Sequence, residues 1–79
     1  MRQKTAHVVL TFSTTNDAMA AETAAKAGAS PGRMIPVPSE ISAGCGLAWC
    51  APLDKREELL YAFECKGLVF EGAHEVLLY

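Results

Sequence analysis

The order of strand-like and helix-like segments is the feature that most restricts how this chain can fold. Residues 7–12 are apolar and partly β-branched, which predicts a strand. Residues 13–17 offer several helix-capping side chains, and an alanine-rich stretch then runs to Ala27, with Gly28 where helices commonly end. A strand followed by a helix is therefore predicted, the helix with an apolar stripe of Ala18, Met19, Ala21, Ala24 and Ala25.

The remaining chain continues this alternation. Pro36 and Pro38 lack the backbone donor that a central strand needs, so their segment is predicted to lie at a sheet edge. Gly67 marks the end of a second helix, in which Arg56, Leu59, Leu60 and Phe63 share one face. The further predicted elements are an edge strand at 33–38, a loop at 39–44, a third strand at 47–51, a second helix at 52–66 and a terminal strand at 72–79.

The resulting order, β-α-β-β-α-β in 79 residues, predicts an α+β fold of the ferredoxin-like type, in one domain over residues 1–79. Two helices then cover one face of a four-stranded antiparallel sheet. The other face carries His7, Val9 and Thr11, with either Leu47 and Trp49 or Ala48 and Cys50 beside them. This face is expected to be open, so it is either solvated or covered by a second copy in a homodimer.

Charge and hydropathy exclude several classes of partner. The net charge is −2 and the seven Lys and Arg residues are spread along the chain, so no nucleic acid is expected as a partner. No stretch reaches the roughly 20 apolar residues that span a bilayer, and the N-terminus lacks the apolar region of a signal peptide. We therefore expect no membrane association and a cytoplasmic location.

The three cysteines, at 45, 50 and 65, match no zinc-binding spacing, and an odd number in a cytoplasmic chain predicts no disulfide framework. Neither a metal nor another cofactor is expected. Cys45 and Cys50 would lie about 16 Å apart along an extended strand, too far for a disulfide. Cys50 is therefore interpreted as a structural strand residue, and Cys65 as an incidental residue on the solvent face of the second helix.

Cys45 lies between Gly44 and Gly46, just before the third strand. Glycine leaves space beside a neighbouring side chain, so this thiol is expected to be accessible, and loop amides can stabilise its anion. The alternative is a small side chain packed beneath a turn. With the first strand taken to run parallel to the third, His7 is expected at the same end of the sheet as Cys45, where it could act as a base.

Residues 12–18 (FSTTNDA), 33–38 (RMIPVP) and 41–48 (ISAGCGLA) together resemble the family of selenium/sulfur (Se/S) carrier protein-like domains, a small family of unknown function. The resemblance covers nearly the whole chain. It implies that Cys45 is the reactive residue, and that Gly44 and Gly46 shape the loop that holds the bound atom. The departures are the alanine-rich first helix and the pair Trp49-Cys50 in the third strand.

The resemblance implies a carrier rather than a stand-alone enzyme. Sulfur or selenium would be held on Cys45 as a persulfide or selenenylsulfide, received from a donor protein and passed to an acceptor protein. One alternative is a non-catalytic module that binds a protein or a small ligand, in which Cys45 is structural. Another is a thiol-dependent enzyme that pairs Cys45 with a histidine.

Overall fold

The elements follow the predicted order. The structure, a computed structural model, describes residues 3–26, 31–38, 41 and 46–78. Four strands, two α-helices and a short 3-10 turn lie within these ranges: β1 (Thr5–Thr11), α1 (Thr15–Lys26), β2 (Arg33–Pro36), β3 (Leu47–Pro52), the 3-10 turn (Leu53–Lys55), α2 (Arg56–Cys65) and β4 (Gly72–Leu78).

The four strands form one sheet in the order β2-β3-β1-β4, and every neighbouring pair is antiparallel. This arrangement confirms the α+β ferredoxin-like fold, and it puts β2 at an edge as its prolines predicted. The expectation that β1 runs parallel to β3 is wrong. A helix crossover returns the chain in its original direction at β2, and the chain then reverses direction between β2 and β3. His7 consequently lies opposite Pro52, whereas Thr11 lies opposite Ala48.

The helices cover one face of the sheet and enclose the main core. Side chains at alternate positions of β1 point into it, as do Trp49 and Ala51 of β3. The predicted inner face of α2 is confirmed at Leu59 and Phe63, which are fully buried. Arg56, which was predicted on the same face, is exposed. The buried members of this core are Val8, Leu10, Phe12, Ala18, Ala21, Trp49, Ala51, Leu59 and Phe63.

The stripe on α1 is narrower than predicted. Ala18 and Ala21 are fully buried, and Ala25 packs against the core from its edge. Met19 was expected in the stripe, but it is about half exposed, so that expectation is wrong. It follows Ala18 by one position, a step of about 100° around the helix, which turns its long side chain away from the sheet.

Local hydrogen bonds set where the helices begin and end. The Thr14 hydroxyl accepts a hydrogen bond from the Asp17 amide at 3.2 Å, which caps the first turn of α1. At the end of α2, the Leu68 amide donates to the Phe63 carbonyl at 2.9 Å, across Gly67 with its left-handed φ of +66°. This is the glycine-terminated helix end that the sequence predicted.

The second face of the sheet is covered at its centre, contrary to the expectation of an open face. Of the two alternatives, the structure puts Ala48 and Cys50 on this face, beside Val9. All three are buried, and Val76 of β4 completes the cluster. The chain that follows β2 contributes to this cover, because Val37 packs against the cluster.

Ile41 shows where the connection between β2 and β3 runs. Its side chain also packs against the second-face cluster. It further lines a cleft of about 610 Å³ along β4, together with His74, Val76 and Leu78. Because β2 and β4 are opposite edges of the sheet, Ile41 lies across the second face from β2.

Candidate functional site

Of the predicted site, Gly46 lies within the described residues, whereas Gly44 and Cys45 lie outside them. Gly46 has a left-handed φ of +77° and is exposed. A Cβ added to it would meet no atom within 4 Å. Glycine is therefore favoured at this position by the backbone conformation, with open space around it.

Gly46 also forms a hydrogen bond at the point where the connection between β2 and β3 returns to the sheet. Its carbonyl accepts a hydrogen bond from the Val37 amide at 3.1 Å. This bond extends the ladder between β2 and β3 by one step beyond the pair formed by Pro36 and Leu47. The chain thus leaves the sheet at Val37 and re-enters it at Gly46, so a hydrogen bond joins the two ends of the connection where β2 ends and β3 begins.

His7 does not lie near the start of β3, where it was predicted to act as a base. Because β1 and β3 are antiparallel, the start of β3 lies beside Thr11, at the far end of β1 from His7. His7 and Thr11 are four residue steps apart along the strand, a distance of about 13 Å. The prediction that His7 shares the end of the sheet at which β3 begins is therefore wrong.

His7 instead lines a cleft at the opposite end of β3. This cleft has a volume of about 410 Å³, and Arg33, Cys50 and Pro52 are among its lining residues. The Nδ1 atom of His7 is 2.8 Å from the Thr5 carbonyl oxygen. A carbonyl can only accept, so Nδ1 carries the hydrogen, and in the neutral ring Nε2 is an acceptor.

Cys50 lies between two residues of neighbouring strands. It pairs directly with Arg33 of β2 on one side and with Val9 of β1 on the other. Only 3 % of Cys50 is exposed, as expected for a structural strand residue. Burial raises the pKa of the Cys50 thiol, and the positive charge of Arg33 only partly offsets this effect. At neutral pH the group is therefore a thiol, which is a poor nucleophile.

Cys65 lies on the exposed face of α2, as the helical wheel predicted. It is one turn from Tyr61, which is 69 % exposed. A hydrogen bond with the Cys65 side chain raises the pKa of the Tyr61 hydroxyl. Both side chains lie on the exposed side of α2.

The different burial of Cys50 and Cys65 predicts different reactivity. In a Cys45→Ser variant, N-ethylmaleimide should modify Cys65 about 100-fold faster than Cys50, since reaching Cys50 requires a local opening of roughly 3 kcal/mol. Mass spectrometry of digested samples taken over time would measure both rates. In urea the two rates should converge. Equal rates in the native protein would contradict the burial of Cys50.

Within the described ranges, no three His, Cys, Asp or Glu side chains are grouped as a metal site requires. In the same part of the chain, no helix has the length and apolar character needed to cross a membrane.

Comparison with known proteins supports the resemblance noted in the sequence. The model of the family described as "Putative Se/S carrier protein-like" matches residues 7–75. That match runs from β1 into β4 and includes the whole connection between β2 and β3. No curated protein and no solved structure gives a significant match. Since the match covers far more than half of the sequence, the chain belongs to the Se/S carrier protein-like family.

Proposed function

We propose that the protein carries sulfur or selenium on Cys45 and passes it from a donor protein to an acceptor protein. The observation that carries this proposal is membership of the Se/S carrier protein-like family over residues 7–75. Cys45 is the one cysteine of the chain that lies in the connection between β2 and β3. Cys50 is buried in β3 and Cys65 lies on α2, so neither is suited to meet a donor beside this connection.

Transfer requires only exchange at sulfur. The Cys45 thiolate attacks the terminal sulfur of a persulfide on the donor. A new S–S bond forms at Cys45, the S–S bond of the donor breaks, and the donor leaves as a thiolate. A nucleophile of the acceptor then attacks the terminal atom and releases the Cys45 thiolate. With selenium, the intermediate on Cys45 is a selenenylsulfide: an S–Se bond forms at Cys45 while the S–Se bond of the donor breaks, and the donor leaves as a thiolate.

The surroundings of Gly46 support this role. Its exposed position and the empty space around it leave room for another protein to approach. Its left-handed backbone conformation also favours glycine at the position directly after Cys45. Gly44 is assigned to the same loop on the basis of the sequence alone.

Loading with sulfur tests the proposal directly. The protein is incubated with a cysteine desulfurase and cysteine, and its intact mass is measured without reductant. Wild-type protein should gain the mass of one sulfur atom, and cyanide should remove it. The Cys45→Ser variant should gain none, because it lacks the attacking thiolate. Replacing cysteine with selenocysteine and a selenocysteine lyase tests selenium in the same way.

Two matched variants show whether loading is specific to Cys45. Cys65→Ser removes the exposed thiol of α2 and should load like the wild type. Cys50→Ser removes the buried thiol and should also load. If wild-type protein gains no mass that Cys45→Ser lacks, the carrier function is rejected, and a binding module with a structural Cys45 is then the better account.

The partners that follow from this proposal are a donor and an acceptor of sulfur or selenium in the cytoplasm. A homodimer through the second face stays a prediction. The cover that Val37 and Ile41 provide limits the sheet surface available for it.

A further inference from the structure

A second group of chemically active side chains lies away from the connection that carries Cys45. Arg33 and Cys50 are directly opposite each other in β2 and β3 and share the second face. Their Cβ atoms are therefore about 5 Å apart. His7 pairs with Pro52, two residues beyond Cys50 on the same face, which makes it a diagonal neighbour at roughly 7 Å. All three line the 410 Å³ cleft.

The charge of this cleft is unbalanced. No ion pair of Arg33 is found among the described residues, where Lys26 pairs with Glu22 and Lys55 with Glu58. The described residues that line the cleft include no carboxylate. Cys50 contributes no negative charge either, because burial keeps its thiol protonated. A guanidinium with no carboxylate partner among the described residues, beside a neutral thiol, favours an anion.

His7 adds a requirement on the form of that anion. Since Nδ1 donates to Thr5, the neutral ring can offer only the lone pair of Nε2 to a ligand. Arg33 supplies N–H donors in a planar fork, which suits two oxygen atoms of one oxyanion. A ligand that satisfies both residues accepts hydrogen bonds from Arg33 and donates one to His7.

We propose that the cleft lined by His7, Arg33 and Cys50 binds a small oxyanion that still carries a proton. The guanidinium of Arg33 holds its oxygen atoms, its hydroxyl donates to Nε2 of His7, and the side of the cleft at Cys50 adds no charge. This site is separate from the carrier function proposed for Cys45 and does not depend on it.

Inorganic phosphate and sulfate provide a matched pair of probes. Both are tetrahedral oxyanions of similar size, but at pH 7 phosphate carries a proton and sulfate carries none. Each is titrated into the wild-type protein at constant ionic strength, and amide and imidazole resonances are followed by NMR. Phosphate should give saturable shifts at His7, Arg33 and Cys50. Sulfate should bind about tenfold or more weakly, because it cannot donate to His7.

Two arginine variants provide the control. Arg33→Gln should lower phosphate affinity by about tenfold or more, whereas Arg56→Gln, which removes an exposed arginine on α2, should leave it unchanged. The titration is repeated with Cys45→Ser, which should bind phosphate like the wild type whether or not Cys45 carries sulfur. Shifts that do not saturate, shifts centred elsewhere, equal affinity for sulfate, or an unaffected Arg33→Gln variant would each overturn the proposal.

Discussion

Replacing Phe63 with alanine is expected to lower the free energy of unfolding by about 3–5 kcal/mol, the usual result of removing a buried aromatic ring. Phe63 is 1 % exposed and lies at the centre of the core between α2 and the sheet. Its ring stacks on that of Phe12 with the ring centroids 6.3 Å apart, and it meets the ring of Phe70 edge-on with the centroids 5.8 Å apart. The variant therefore loses transfer free energy and two aromatic contacts, and it leaves a cavity.

The consequence is large because the domain is small. A chain of this size has a total stability of only about 5–8 kcal/mol, so the variant should be largely unfolded in modest urea. Urea titrations followed by circular dichroism would measure the change. Tyr61→Ala removes an exposed aromatic side chain from the same helix and should change stability by about 0.5 kcal/mol or less. Similar losses for the two variants would contradict the assigned inner face of α2.

Much of the fold could be predicted because local signals agreed with one another. The alternation of side chains in β1 predicted which of them point inward, and the glycine after α2 predicted where that helix ends. Pro36 gave the edge position of β2, since a missing donor is tolerated there. These signals act within a few residues of each other, so a single sequence displays them in full.

The features that were missed depend on how separated segments meet. The direction of β3 relative to β1 follows from the whole chain path, and one wrong assumption about it displaced His7 by the length of a strand. The cover over the second face comes from the connection after β2, whose composition alone does not show that Ile41 reaches β4.

The cleft at His7, Arg33 and Cys50 was missed for a related reason. Arg33 is closer in sequence to Cys45 than to Cys50. The register between β2 and β3 pairs it with Cys50 instead. The hairpin register would have revealed this pairing, but it depends on where the long connection rejoins the sheet, at Gly46.

Gly32→Ala is expected to destabilise the protein by about 2–5 kcal/mol, for two reasons that add. Gly32 has a left-handed φ of +96°, which costs an alanine roughly 1–2 kcal/mol. A Cβ there would also collide with the Cys50 carbonyl oxygen and lie 2.9 Å from Nε1 of Trp49. Relieving such overpacking costs typically about 1–3 kcal/mol. A shift of the Trp49 ring away from the added methyl group would disturb the hydrogen bond from its Nε1 to the Pro31 carbonyl, which is 2.8 Å long.

Gly67→Ala separates the two contributions. Gly67 also has a left-handed φ, +66°, but a Cβ there would meet nothing within 4 Å. This variant should therefore lose only the backbone contribution, roughly 1–2 kcal/mol. Urea titrations of both variants, with Trp49 fluorescence as a second probe, would measure the difference. Equal losses would mean that β3 yields to the added methyl group without cost. A larger loss for Gly32→Ala would show that the close approach of Gly32 to Cys50 and Trp49 fixes how the chain enters β2, and with it the register that brings Arg33 to Cys50.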